Sequence, residues 1–425
     1  METYNFVLSL KNNIIAINNN VDSIQKRYNK YKCSDVFQMM LASSFNDNNY
    51  SSFTNYYNLT DTSQGNLSYW AVKIYNIDIS DKYKIIYNEA IENNIYRNNV
   101  LLDKLSHITK KYNILAGDGT VINCTLPSLN GTNISCMTVS SILNISNNMF
   151  FDYKMAYDNN ESSSMLEHPL TKKDIIILDR GYSNPVFLHR LIKKTNYVVR
   201  LKKNLKICKD FIKKNVNEDI ISFDKHKIKL VKYYVDRATK NIILNKYRDD
   251  DKISDEDNDS LYIIATNILT TSIDDCINMY KMRWNIEVSF KNLKTNFNIK
   301  HVCREINIKD PLKKTVFWID MSFLMYNMTC MLKNNIDSKK ENSNCRFSKC
   351  ASFIRHIMLN CQKKSVEYFT LIIDNITKRF QNHNKKNINI TTHTGVKKKG
   401  RYKLFYTILC ETDNNVLLQI IDNIK

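Results

Sequence analysis

DIIILDRGY (174–182) begins with an acid, runs through four apolar residues and stops at a second acid, Asp179, with Gly181 two residues on. A run this short and this apolar, bounded by a turn residue, reads as a strand buried on both faces of a sheet. Such a strand carries its last residue out to the sheet edge, where a carboxylate escapes burial yet keeps a rigid support. YNILAGDGT (112–120) has the same form and is expected to end in Asp118. NYVVRLK (196–202) and LYIIATN (261–267) supply further apolar strands. Segments 136–145 and 149–157 read as two strands turned at Ser146, Asn147 and Asn148. Helices are expected around 160–171 and 184–194, so strands alternate with helices and the fold class is α/β.

One long helix is expected over SIDDCINMYKMRWNIEVSFKNLK (272–294), opened by a capping box in which Asp275 stands three residues after Ser272. At about 100° per residue, Tyr280, Arg283, Glu287 and Lys294 project into one arc roughly 60° wide, with Trp284 beside it. A helix with acid and base on one side is ordinarily a solvated face. Here an aromatic accompanies the charges, and two aspartates end apolar strands upstream. That combination suits nucleic acid better than water.

Asp118, Asp179 and Glu287 would present three hard oxygen donors if the helix packed on the strand ends. Such donors suit Mg²⁺ or Mn²⁺, and two ions can clamp both oxygens of an in-line phosphoryl displacement. Without a cation the three carboxylates would repel, and one would be forced to protonate. Taken singly, Asp118 in an Asp-Gly pair and Asp179 before a glycine are ordinary turn residues.

GDGT (117–120), DRGY (179–182) and the Tyr-x-x-Arg-x-x-x-Glu-x-x-x-x-x-x-Lys helix resemble the DDE transposases of bacterial insertion sequences. The closest likeness is to the YREK-motif group (insertion sequence family four). The order Asp, Asp, long gap, Glu agrees, as do ATN (265–267) and the Arg283-Trp284 pair; the resemblance spans about 110–330. It implies an RNase H-like catalytic core in which Asp118, Asp179 and Glu287 are the catalytic, metal-binding triad. Tyr280, Arg283 and Lys294 would contact phosphates at the transposon end. Lys291, Arg180 and Trp284 would be further nucleic-acid contacts, with an ion pair the alternative for Arg180 and core packing the alternative for Trp284. The implied reaction is metal-dependent cleavage and strand transfer at terminal inverted repeats and into target DNA, by a homodimer in a synaptic complex. Excision in the family often passes through a DNA hairpin. Competing readings are a transposase-derived metal-dependent nuclease and a domesticated, non-catalytic DNA-binding protein. The intact triad speaks against the second.

Three regions are expected along the chain. Residues 1–105 read as a helical domain, a candidate for DNA-end binding, with apolar periodicity at 36–45 and 83–105 around polar stretches at 46–66. Residues 106–330 are the catalytic domain, carrying a separate β-rich insertion at 203–260 that ends in the acidic run 249–259. Residues 331–425 form a mixed, largely helical region, a candidate for dimerisation or DNA contact, with a basic loop at 383–403.

Lys and Arg number 62 against 42 Asp and Glu, a formal charge of +20 that favours a polyanionic partner. The Lys/Asn/Ile/Tyr bias of AT-rich coding inflates that basicity without function. Seven glycines leave no Gly-rich phosphate loop. Eleven cysteines without a Cys-x-x-Cys pair point to reduced thiols and an intracellular, non-secreted chain, in bacterial cytoplasm or eukaryotic nucleus according to host. Cys345, Cys350, His356 and Cys361 lack the paired spacing of zinc knuckles and read as chance cysteines on a helical surface rather than a zinc site. VFWIDMSFLMYNM (316–328), interrupted by Asp320 and Asn327, reads as a buried helix and not a membrane span.

Overall fold

The computed structural model describes residues 3–23, 37, 73–97, 100–126, 134–156, 161–223, 225–235, 261–297, 311–338, 345–360 and 364–374. The apolar patch 36–45 (apart from Phe37), the polar stretch 46–66, the acidic run 249–259, Cys361 and the basic loop 383–403 lie outside the described residues.

The element order is α1 (Thr3–Asp22), α2 (Lys82–Glu92), α3 (Val100–Lys104), α4 (Ser106–Thr109), β1 (Asn113–Leu126), β2 (Ile134–Asn144), β3 (Met149–Ala156), α5 (Glu161–Glu167), β4 (Asp174–Leu178), α6 (Pro185–Lys194), β5 (Asn196–Leu201), α7 (Lys206–Lys213), β6 (Glu218–Phe223), β7 (His226–Tyr234), β8 (Leu261–Thr266), α8 (Ile273–Lys281), α9 (Trp284–Asn296), α10 (Pro311–Ser338) and α11 (Phe347–Asn360). The eight strands form one sheet in the order β3-β2-β1-β4-β5-β8-β7-β6. β1, β4 and β5 run parallel, and the remaining pairs are antiparallel. The 3-2-1-4-5 half with helices on both faces is the expected RNase H-like core.

Two sequence expectations are corrected. Asp118 does not end its strand: β1 runs on to Leu126, because its antiparallel partner β2 continues alongside it from Leu115 to Leu126. Nor are the described strands of 203–260 a separate insertion. β7 pairs with β8 along Lys229–Tyr234, so hydrogen bonding carries β6 and β7 into the main sheet. The strand at 261–266, called apolar for its own sake, is what joins the two halves.

Both faces of the sheet are covered. Leu115, Ile176, Leu178, Tyr197, Val199, Ile228 and Leu230 pack with Met165 of α5, Leu188 and Leu191 of α6, and Cys208 and Phe211 of α7. On the opposite face α8 and α9 lie against β1, β4, β5 and β8, and α10 lies against β3. All five residues of β4 are buried. The turn between β2 and β3 falls where expected, with Asn148 at φ 56°, a left-handed conformation that asparagine tolerates.

α10 is the buried helix expected at 316–328, and its two polar interruptions are both bonded. Asn327, fully buried, receives the Phe150 N–H at 2.8 Å and donates to the carbonyls of Phe150 and Tyr83. Asp320 accepts from the Tyr153 hydroxyl. Among the described residues no helix is long and apolar enough to cross a membrane.

Candidate active site

β1 and β4 pair in parallel from Asn113↔Asp174 to Ala116↔Ile177. Asp118 on β1 and Asp179 just after β4 each stand two residues beyond the last pair of that register. Asp179 follows the last residue of β4 in extended backbone, then the chain turns through Arg180–Tyr182. Asp118 is one strand-face away from Leu115 and Gly117, so its carboxylate points to the side covered by α8 and α9.

The expected long helix is in fact two. α8 ends at Lys281 and α9 starts at Trp284. Met282 and Arg283 both keep right-handed helical angles. The Met282 carbonyl accepts both the Asn285 backbone N–H at 3.0 Å and its side-chain amide at 2.8 Å, and the Met282 and Arg283 N–H groups likewise bond three residues back, so the ladder tightens at the break. The start is as expected: Ser272 Oγ accepts the Asp275 N–H at 3.1 Å.

Arg283 is the hub of the cluster. Its guanidinium bonds Glu287 and stands 3.9 Å from Asp118 Oδ2. Tyr280, 7% exposed, donates its hydroxyl to Asp179 Oδ1 at 3.3 Å. The structure thus brings Asp118, Asp179, Glu287, Tyr280 and Arg283 together. Lys294 and Lys291 lie further along α9, Lys294 two turns beyond Glu287; Lys291 is exposed, and Lys294 and Trp284 are half-buried. Arg180 follows Asp179 directly and is half-buried.

The electrostatics follow from burial and from Arg283. Burial raises the Asp118 carboxyl to about 7; Arg283 opposes the rise, while Glu161 and then Asp179 reinforce it. Burial acts the same way on Asp179, but Arg283 first, then the Arg180 N–H and the charges of Arg200 and Arg180, outweigh it and hold that carboxyl low. For Arg283, burial works against the charge, and Asp179, Tyr280, Glu287 and Asp118 more than restore it. Tyr280 is pushed up by burial and by Asp179.

Among the described residues, no three His, Cys, Asp or Glu side chains stand close enough to hold a metal ion as they are placed. The three carboxylates are gathered on the Arg283 cation instead. Their chemistry fits a hard divalent ion: oxygen donors only, and an Asp118 that burial first, and the Glu161 and Asp179 charges after it, push toward protonation.

Several participants were not singled out in the sequence. Arg200 lies 3.7 Å over the Tyr262 ring, and Tyr262 meets Tyr280 edge-on at 6.4 Å, so an aromatic-cationic chain backs Asp179. A lone arginine inside the apolar NYVVRLK was the available signal. Glu161 and Tyr182, bonded to each other, also adjoin the cluster. Of the group Cys345, Cys350, His356 and Cys361, the last lies outside the described residues. Cys345 and Cys350 are buried with their sulfurs 3.4 Å apart, rather than displayed on a surface, and His356 bonds the Tyr368 hydroxyl at 3.2 Å.

The chain resembles known proteins in two ways. Among solved structures it is similar to the piggyBac transposase in a cryo-EM synaptic complex with hairpin DNA, at 10% identity and a TM-score of 0.42, over 93% of this chain and 86% of that one. A comparison with curated protein sequences finds no match. The family model described as the transposase DDE domain matches residues 109–327, from the end of α4 to the middle of α10. That match covers more than half of the chain and every residue of the cluster around Arg283, and the chain belongs to the transposase DDE domain family, whose reaction is metal-dependent DNA cleavage and strand transfer.

Proposed function

We propose that Asp118, Asp179 and Glu287 are the metal-binding catalytic triad of a cut-and-paste DNA transposase of the YREK group. The observation that carries this reading is that Asp118 and Asp179 each stand two residues past the last β1–β4 pair, with Arg283 beside Asp118 and bonded to Glu287. When bound, two Mg²⁺ or Mn²⁺ ions supply activation of the attacking oxygen and stabilisation of the leaving one. The protein's part is to hold the carboxylates rigidly on β1, β4 and α9 and to keep their charge balanced until the ions and DNA arrive. Tyr280 orients Asp179 through its hydroxyl. Arg283 is placed to exchange its carboxylate partners for a phosphate oxygen of the transposon end. Lys294, Lys291 and Arg180 supply further phosphate contacts, and Trp284 offers a ring for an unstacked base.

The partners in this reading are the terminal inverted repeats and target DNA, engaged by a homodimer that cuts two ends in concert. The test is a joining assay with the full chain, an end-bearing duplex and a plasmid. Mg²⁺-dependent appearance of the end's 3′-OH covalently joined to plasmid is the expected result. Nicking without joining would replace the reading with that of a nuclease.

A further inference from the structure

Gly119 of GDGT and Tyr182 of DRGY stand among the motif residues outside the triad. Both touch the same side chain. A Cβ on Gly119 would lie 2.2 Å from Glu161 Oε1 and 2.3 Å from its Cδ, so any larger residue would displace that carboxylate. Gly119 sits in regular β pairing opposite Ser140, where glycine weakens a strand and no left-handed backbone calls for it. The space is there for Glu161. Tyr182, 3% exposed, donates its hydroxyl to Glu161 Oε1. A buried phenol and a missing side chain therefore hold one carboxylate against the backbone next to Asp118.

The fold lets that carboxylate reach the site. Glu161 opens α5, on the face opposite α8 and α9. β1 pairs with β4 only as far as Ala116, so beyond it that edge of β1 carries no β4 partner. Gly119 follows Asp118 directly, so the carboxylate held against it lies one residue along β1 from the triad.

We propose that Glu161 is a fourth acidic residue of the reaction's site, serving the same divalent cations as Asp118, with Gly119 and Tyr182 holding it in place. This rests on the triad reading above. The test is Mn²⁺ titration of the full chain, followed by the electron paramagnetic resonance signal of the free ion, for the wild type, Glu161→Gln, Tyr182→Phe and Asp118→Asn. Glu161→Gln can still accept the Tyr182 hydroxyl, and its melting temperature should match the wild type. It should weaken Mn²⁺ binding about 10–100-fold, with a smaller weakening in Tyr182→Phe. A role confined to starting α5 would move the melting temperature and leave the titration unchanged. Wild-type Mn²⁺ binding in Glu161→Gln, with binding lost in Asp118→Asn, overturns the Glu161 proposal alone. Wild-type binding in both overturns the triad reading as well.

Discussion

Arg283 shows how much of this site depends on one side chain. It bonds Glu287, neighbours Asp118, and is the strongest positive charge acting on both aspartates. Removing one carboxylate from such a group changes the reaction and leaves the fold in place. Asp118→Asn, Asp179→Asn and Glu287→Gln should each lower strand cleavage by about 10²–10³-fold or more while DNA affinity changes little; gel-based cleavage and binding assays check both. Lys294→Ala should reduce the slope of log affinity against log salt by about 1, because one phosphate contact fewer releases one counterion fewer. A slope equal to that of the wild type would remove Lys294 from the interface. Asp118, Asp179 and Glu287 were legible in the sequence because each has a periodic apolar segment fixing its direction. Glu161 was not, since nothing local marks it; only the missing Cβ at Gly119 and the distant Tyr182 give it meaning.

At the scale of elements, the break between α8 and α9 was illegible for a clear reason. Neither proline nor glycine marks it; from Met282 to Ile286 the backbone bonds run three residues back rather than four, beside a fully buried Met282. The polar residues of α10, by contrast, were visible as interruptions, and the structure supplies their purpose. Asn327 stitches α10 to the backbone of β3 and α2. Asn327→Ala should cost about 2–4 kcal/mol in denaturant unfolding, since it leaves a buried N–H and two carbonyls short of a partner. Asp320 behaves differently. Burial raises its carboxyl to about 7, against the Tyr153 hydroxyl that favours ionisation. An unfolded aspartate ionises at about 3.9. Below that value both states hold the proton; between it and about 7 only the folded chain does, so stability is lost as pH rises through this window. Asp320→Asn should therefore raise the melting temperature above pH 7, and the gain should vanish toward pH 4. A gain independent of pH would point to packing rather than ionisation.

For the whole molecule, the alternation of strands and helices announced an α/β core, and the 3-2-1-4-5 half of the sheet follows from it. The reading of 203–260 as a separate β-rich insertion missed the pairing of its strands with the main sheet, because strand periodicity says which face is buried but not which strand is the neighbour. β7 is apolar enough to look self-contained, yet its partner is β8, nearly thirty residues later in sequence. The formal charge of +20 now has a family context. Binding to any duplex should be measurable at low ionic strength and should fall steeply as salt rises. Sedimentation of the full chain with end-bearing DNA should give two protomers per complex; a single protomer holding two ends would count against concerted cutting by a homodimer.

The parallel pairing of β1 with β4 also acts as a ruler. Because side chains alternate along a strand, deleting one residue between Asn113 and Asp118 would swing the acid to the far side of the sheet and bring a glycine into its place. Loops elsewhere can lengthen or shorten without moving that spacing. Changes of chain length compatible with an intact reaction centre should therefore be absent from these six positions, and the gap between the two aspartates can drift freely only outside them.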